Sequence, residues 1–225
     1  MRKFPLVILI GGGSKLPALL NYQRRPETKW RIAYVVSHKS ESPGVNLAKE
    51  NGIEAEIRYF DFKAEKRGEV SREEYSRKLG EDLSKIVGKD GLVVMAGWDL
   101  IMPAVFLSYF GGRVINLHPA LLPDEPSSKY VEVSPSASLR VKVPVLRGVH
   151  SNKAFEIALQ EGHEWSGVTV HWVTPTVDVG KVILRGAVPI LEVDTVETLA
   201  ERVHKKEDEI LPEAIDLTLS GRITP

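Results

Sequence analysis

Asn116 and His118 stand two residues apart at the end of a short apolar run, Arg113-Val114-Ile115, and Pro119 and Pro123 follow closely. This pairing of residue types can do carbonyl chemistry. The Asn116 amide carries an NH2 that can polarise a carbonyl oxygen, and the His118 imidazole can hold or release a proton near neutral pH. Ligands of open α/β sheets bind just beyond the carboxyl ends of the strands, where such a strand end would present both groups. Each proline fixes φ and removes a donor, so the loop after the strand is expected to hold them stiffly. A buried Asn and His that merely cap a strand end explain the same residues without any reaction.

Two other loops end in useful groups: His150 follows Gly148, and Asp178 precedes Gly180. Imidazole and carboxylate from separate strand ends suit proton handling during addition to a carbonyl, and an amide donor suits the oxyanion that results. No serine sits in a nucleophile-elbow sequence and there is no cysteine, which favours direct attack by a bound amine over an acyl-enzyme. The six histidines form no closely spaced pair, so no metal is expected.

Buried strands must carry these loops. Leu6 to Ile10 is continuous and β-branched, as a strand covered on both faces should be. It enters Gly11-Gly12-Gly13-Ser14 and then a helical segment from Lys15 to Leu20. Strand, glycine turn and helix can aim backbone N–H groups at an anion, and glycine permits close approach of a phosphate. The spacing matches neither a Walker loop nor the dinucleotide fingerprint, so a tight turn with Ser14 as N-cap explains it equally well. Trp30 to Val36, Ile53 to Tyr59, Gly91 to Ala96 and Arg113 to Ile115 read as further strands. Between them, helices are expected at Pro43 to Asn51, from the capping box Ser71-x-x-Glu74 onward, and at Pro103 to Phe110. Phe60 to Gly68 reads as a solvated charged loop. This alternation with short connections indicates an α/β class, a doubly wound, mainly parallel, Rossmann-like sheet with helices on both faces. Asp124 to Arg147 breaks the pattern: serine and proline breakers precede an alternating stretch, Leu139 to Val143, so a lid or a flexible insertion is expected. A helix at Ser151 to Glu161, strands at Gly167 to Val173 and Lys181 to Pro189, and a helix at Val196 to Ser220 complete the chain.

The 225 residues suffice for one large α/β domain or two small ones, and 43% hydrophobic with 27% charged content is ordinary for a globular protein. Thirty basic residues balance thirty acidic ones, which argues against broad nucleic-acid or membrane-surface binding. The absence of cysteine excludes disulfides and thiolate catalysis. The apolar run at the start is too short for a signal core or a membrane span, so a cytoplasmic protein is expected.

The chain resembles the glycinamide ribonucleotide formyltransferases of purine biosynthesis. The likeness rests on Gly11-Gly-Gly-Ser14, Ser71-Arg72, Ala96-Gly97-Trp98, Asn116-Leu-His118-Pro119-Ala-Leu-Leu-Pro123, Gly148-Val-His150, Gly167 through Asp178-Val-Gly180, and Arg202 through Glu207. It covers nearly all of the chain except 124–147.

The resemblance implies a single formyltransferase domain over 1–225, with a phosphate-binding half to about residue 110 and a folate and catalytic half from about 111. It implies that Asn116 polarises the formyl carbonyl of 10-formyltetrahydrofolate, the co-substrate. His118 acts on the tetrahedral intermediate, and Asp178 keeps that imidazole charged and assists proton removal. Gly11, Gly12, Gly13 and Ser14 correspond to the loop holding the substrate phosphate, with Arg72 near it; His150 lines the site and Glu207 contacts the ribose. The pterin lies against Trp98, Asp99, Leu100, Ile101 and Met102 and against the loop with Thr174 and Val177, and His171 also lines the site. The implied partners are small molecules, a phosphorylated amine and a folate, with a homodimer compatible and no nucleic acid or membrane. Departures occur at Gly12 and Lys15, where relatives carry asparagine; at Asp99, where an arginine-bearing segment is altered; and at 124–147. Another amine acceptor, water in a deformylase, and a silent nucleotide-binding module are the competing functions.

Overall fold

The computed structural model describes residues 3–136, 138–149 and 152–224. The chain divides into two compact units, residues 1–116 with 173–175, and residues 117–172 with 176–225.

The first unit is built on parallel strands β1 (Phe4–Ile10), β2 (Trp30–Ser37), β3 (Glu54–Ile57), β4 (Leu92–Ala96) and the start of β5 (Val114–His118), in the order β3-β2-β1-β4-β5. Helices α1 (Leu16–Gln23), α2 (Pro43–Glu50), α3 (Phe62–Lys66), α4 (Arg72–Val87) and α5 (Ala104–Ser108) connect them. The architecture is the mainly parallel α/β fold expected from the alternation. β1 is central and every residue from Leu6 to Ile10 is fully buried, which is why its sequence is apolar without a polar beat. On one face Val7, Leu9, Val93 and Met95 pack against Leu79, Leu83 and Val87 of α4 and Phe106 of α5. Burying each such side chain contributes roughly 1.5–3 kcal/mol. α4 starts where Ser71 accepts a hydrogen bond from the Glu74 backbone N–H, as its sequence implied.

Register fixes where the loops emerge. Ile10 pairs with Ser37 on one side and with Ala96 on the other, and Met95 pairs with Asn116. The residues after these positions therefore leave the sheet at one level, its carboxyl edge.

The second unit contains the antiparallel pair β8 (Trp165–Trp172) and β9 (Val182–Pro189), the antiparallel pair β6 (Tyr130–Ser136) and β7 (Leu139–Pro144), and helices α6 (Asn152–Gln160) and α7 (Val196–Leu219). α7 packs on β8, β9 and α6, and its buried residues include Leu199, Val203, Leu211 and Ile215. Gly162 ends α6 with φ +68°, the left-handed conformation in which helices commonly terminate on glycine.

Three local expectations change. Phe60 to Gly68 is no solvated loop: Phe60 is 1% exposed, and Asp61 caps α3 by accepting from the Lys63 and Ala64 N–H groups. The strand after Arg113 does not stop at Ile115 but continues through His118, so Asn116 and His118 share one face of β5. The 124–147 stretch holds a hairpin in which Val131 and Val143 pack on Leu121 and against Trp165 and Ala187. Ser134 and Pro135 lie inside β6 at a register shift, where a proline needs no ladder donor. Among the described residues no helix is long and apolar enough to cross a membrane.

Candidate active site

In the first unit, the carboxyl edge brings together the glycine loop, the start of the 97–102 segment and Asn116. The loop is laced to the β2–α2 connection: the Gly11 carbonyl accepts from Ser37 Oγ at 2.9 Å and Ser42 Oγ at 2.8 Å, and the Gly12 carbonyl accepts from the Gly44 N–H at 2.9 Å. Two glycines are obligatory. A Cβ on Gly11 would lie 2.8 Å from the Gly97 carbonyl oxygen, and Gly13 has φ +92° with Gly44 Cα only 2.5 Å from where a Cβ would stand. Gly12 has open space around it and, like Ser14, is exposed. Ser14 is not the helix cap; Lys15 occupies that position with no side-chain cap bond, and it is buried rather than extended into solvent.

Trp98, Leu100 and Met102 alternate inward and belong to the core, with the Trp98 indole donating to Met102 Sδ at 3.3 Å. Ile101 is exposed and Asp99 is half-buried. Asp99 pairs with Lys39 Nζ at 2.5 Å and with the fully buried His38, whose ring meets Trp98 edge-on with centroids 4.4 Å apart. Burial raises the Asp99 carboxyl, but hydrogen bonds from His38 and Lys39 outweigh it and hold the group well below the usual carboxylate range. His38 and Lys39 carried no signal in the sequence, because only the register of β2 against β1 sets them beside the end of β4.

Arg72 is engaged by Glu65 through two parallel bonds, Nε to Oε1 at 2.7 Å and Nη2 to Oε2 at 2.5 Å, and lies over the Phe60 ring. A substrate phosphate would have to share or displace that carboxylate.

The second unit brings His118, His171 and Asp178 together. His118 is 3% exposed. Its Nε2 lies 2.8 Å from the Leu146 carbonyl oxygen and its Nδ1 lies 3.4 Å from Asp178 Oδ2. Both neighbours are acceptors, and a neutral imidazole has one N–H; only the doubly protonated ring donates to both. Asp178 Oδ2 also accepts from the Gly148 N–H at 2.9 Å, while Oδ1 lies 3.7 Å from His171 Nε2. The Nδ1 of His171 lies 2.9 Å from the Trp172 carbonyl, which fixes that ring. Burial pushes the His171 pKa down to about 4, since the charged form loses its hydration. The carboxylate thus sits between a ring set among acceptors and a ring that burial keeps neutral.

Asp178 is the one non-glycine residue with positive φ among the described residues, at +55°. Aspartate tolerates this left-handed backbone better than most residues do. The 118–123 segment is pinned from β8 and β9: Thr169 Oγ1 donates to the Ala120 carbonyl at 2.8 Å and accepts from the Leu122 N–H, and Arg185 Nε donates to the Leu122 carbonyl. Thr169 and Arg185 escaped the sequence reading, since both look like ordinary strand residues. Glu207 is buried on the inner face of α7. Thr174 is half-buried and Val177 is 37% exposed. His150 and Ser151 lie outside the described residues. No group of three or more histidine, aspartate or glutamate side chains able to hold a metal occurs among the described residues.

The chain is similar to known proteins along most of its length. A family model described as formyl transferase matches residues 5–215. The phosphoribosylglycinamide formyltransferase of Schizosaccharomyces pombe is 34% identical over 93% of this chain and 94% of its own. The trifunctional purine biosynthetic protein adenosine-3 of Bos taurus is 32% identical over 96% of this chain, which spans 18% of that protein's length. The crystal structure of glycinamide ribonucleotide transformylase 1 from Symbiobacterium toebii matches with a TM-score of 0.79 at 32% identity, covering 99% of this chain and 91% of that one. With its strand-borne Asn116 and His118 and a match along almost its whole length, this chain belongs to the formyl transferase family, among the phosphoribosylglycinamide formyltransferases.

Proposed function

We propose that this protein is a folate-dependent enzyme that transfers the formyl group of 10-formyltetrahydrofolate to the amine of glycinamide ribonucleotide, a step of purine biosynthesis. The observation that carries this reading is the buried His118–Asp178 pair in a formyl transferase chain, with Asn116 two residues before His118 along β5. The amine nitrogen attacks the formyl carbon directly. The carbonyl oxygen gains negative charge, which the Asn116 NH2 and the protonated His118 offset. The attacking nitrogen then loses a proton toward Asp178, directly or through water, the bond from carbon to N10 breaks, and N10 takes up a proton. Asp178 holds the imidazolium in place and His171, neutral, adds no competing charge.

The remaining assignments follow the same reading. The Gly11–Ser14 loop holds the phosphate, with Arg72 at its side, and Glu207 serves the ribose. Asp99, Ile101 and the backbone of 98–102, with Thr174 and Val177, meet the pterin. The enzyme works as one domain in the cytoplasm and takes no metal.

A spectrophotometric assay with 10-formyltetrahydrofolate tests this, run with glycinamide ribonucleotide, without it, and with His118→Ala. Turnover that requires both the ribonucleotide and His118 is expected. Turnover without an amine would make the protein a hydrolase, and folate binding without turnover would mean a different acceptor.

A further inference from the structure

The stretch from Leu146 to Gly148 touches both members of the proton-handling pair, through three consecutive residues. The Leu146 carbonyl meets His118 Nε2 at 2.8 Å, Arg147 Nε donates to the Asp178 carbonyl at 3.1 Å, and the Gly148 N–H donates to Asp178 Oδ2 at 2.9 Å. One residue earlier, the Val145 N–H donates to the Lys129 carbonyl at 3.0 Å, which ties this stretch to the base of the β6–β7 hairpin. Val145 also packs with Val131 and Val143 in the small apolar cluster beneath that hairpin. The chain therefore leaves a fixed anchor and reaches the site within two residues.

The geometry points to Arg147 as a positioning residue for Asp178. Asp178 stands in a left-handed backbone conformation, φ +55°, which aspartate tolerates but which its surroundings must still favour over the ordinary regions. Gly148 holds its carboxylate. Among the described residues Arg147 is the one side chain that donates to its carbonyl, 31 residues away in sequence. With both ends of the residue held, Oδ2 is kept facing His118 Nδ1. If the carbonyl is released, the peptide is free to turn and the carboxylate swings with it. The outer nitrogen of Arg147, Nη2, is buried and makes no hydrogen bond among the described residues. The contact that matters is therefore the single one from Nε, and a lysine, whose Nζ lies one bond farther out, can replace it.

This role rests on the formyl-transfer reading, and the test separates the two. Arg147→Ala and Arg147→Lys are assayed beside wild type with 10-formyltetrahydrofolate and glycinamide ribonucleotide, and the ring N–H signals of His118 are followed by NMR. The expected result is a fall in kcat of about ten- to a hundredfold for R147A, the scale for misplacing a catalytic group by a fraction of an ångström to an ångström. Both KM values stay near wild type, the His118 ring signals move, and R147K recovers most of kcat. A folded R147A with wild-type kcat and unmoved His118 signals overturns the proposal. So does a raised KM with kcat unchanged, which would make Arg147 a substrate contact. If wild type itself fails to turn over these substrates, the formyl-transfer reading falls, and the His118 signals alone decide whether Arg147 positions Asp178.

Discussion

Asp178 Oδ2 lies 3.4 Å from His118 Nδ1, and the same carboxylate turns its other oxygen to His171 Nε2 at 3.7 Å. One acid thus orients two buried rings that stand 6.4 Å apart between centroids. The rings differ in their other neighbours: His118 Nε2 meets the Leu146 carbonyl and His171 Nδ1 meets the Trp172 carbonyl.

His118→Ala and Asp178→Ala each lower kcat by roughly two or more orders of magnitude, the scale for losing proton transfer or oxyanion stabilisation. Asp178→Asn keeps the volume and removes the charge, so it falls nearly as far. Steady-state kinetics check this, and near-wild-type rates in both alanine variants would remove the pair from the reaction.

The depressed pKa of His171 makes stability depend on acidity in a definite direction. Its ordinary value is 6.5 and burial lowers it to about 4 in the folded chain, so between those values the unfolded chain binds more protons. Stability is therefore fully present above about pH 6.5 and declines as the pH falls toward 4. Urea titrations across this range should show that slope, and His171→Gln should reduce it. An unchanged slope in the variant would place the acid sensitivity elsewhere.

Gly13→Ala lowers stability by about 1–3 kcal/mol, because it combines a left-handed backbone with a clash against Gly44. Gly12→Ala, with open space around it, changes thermal stability little. Melting temperatures compare the two, and equal losses would show that the loop is looser than its contacts imply.

Arg72→Ala raises the KM for the phosphorylated acceptor and leaves kcat near wild type, as loss of uniform binding does. It also breaks the pair with Glu65, whose two partly exposed groups contribute about 1 kcal/mol or less. An unchanged KM, measured with the ribonucleotide as varied substrate, would leave Arg72 as Glu65's partner alone.

Local signals carried much of the fold. The unbroken apolar runs of β1 and β4, the Ser71 cap and the glycine ending α6 are each readable within a few residues, because burial on both faces, end capping and positive φ leave marks on neighbouring residue types. Asn116, His118 and Asp178 stood out in the sequence for a related reason: few structural roles require an amide and an imidazole at one strand end and a carboxylate in a second loop.

What local pattern could not supply was decided by distant partners. Whether β5 stops at Ile115 or runs to His118 depends on pairing, not on composition. Phe60 is core because α4 lies over it, although its neighbours are charged. β6 persists through Ser134 and Pro135 because β7 offers a partner. Arg147 meets Asp178, and Thr169 holds Ala120 and Leu122, only once chain segments 31 and 47–49 residues apart are brought together. The sequence by itself thus determined which groups could react, since residue type sets hydrogen bonding and charge. The tertiary structure alone decided which of them meet, because that depends on burial and on contacts that arise only when the chain closes on itself.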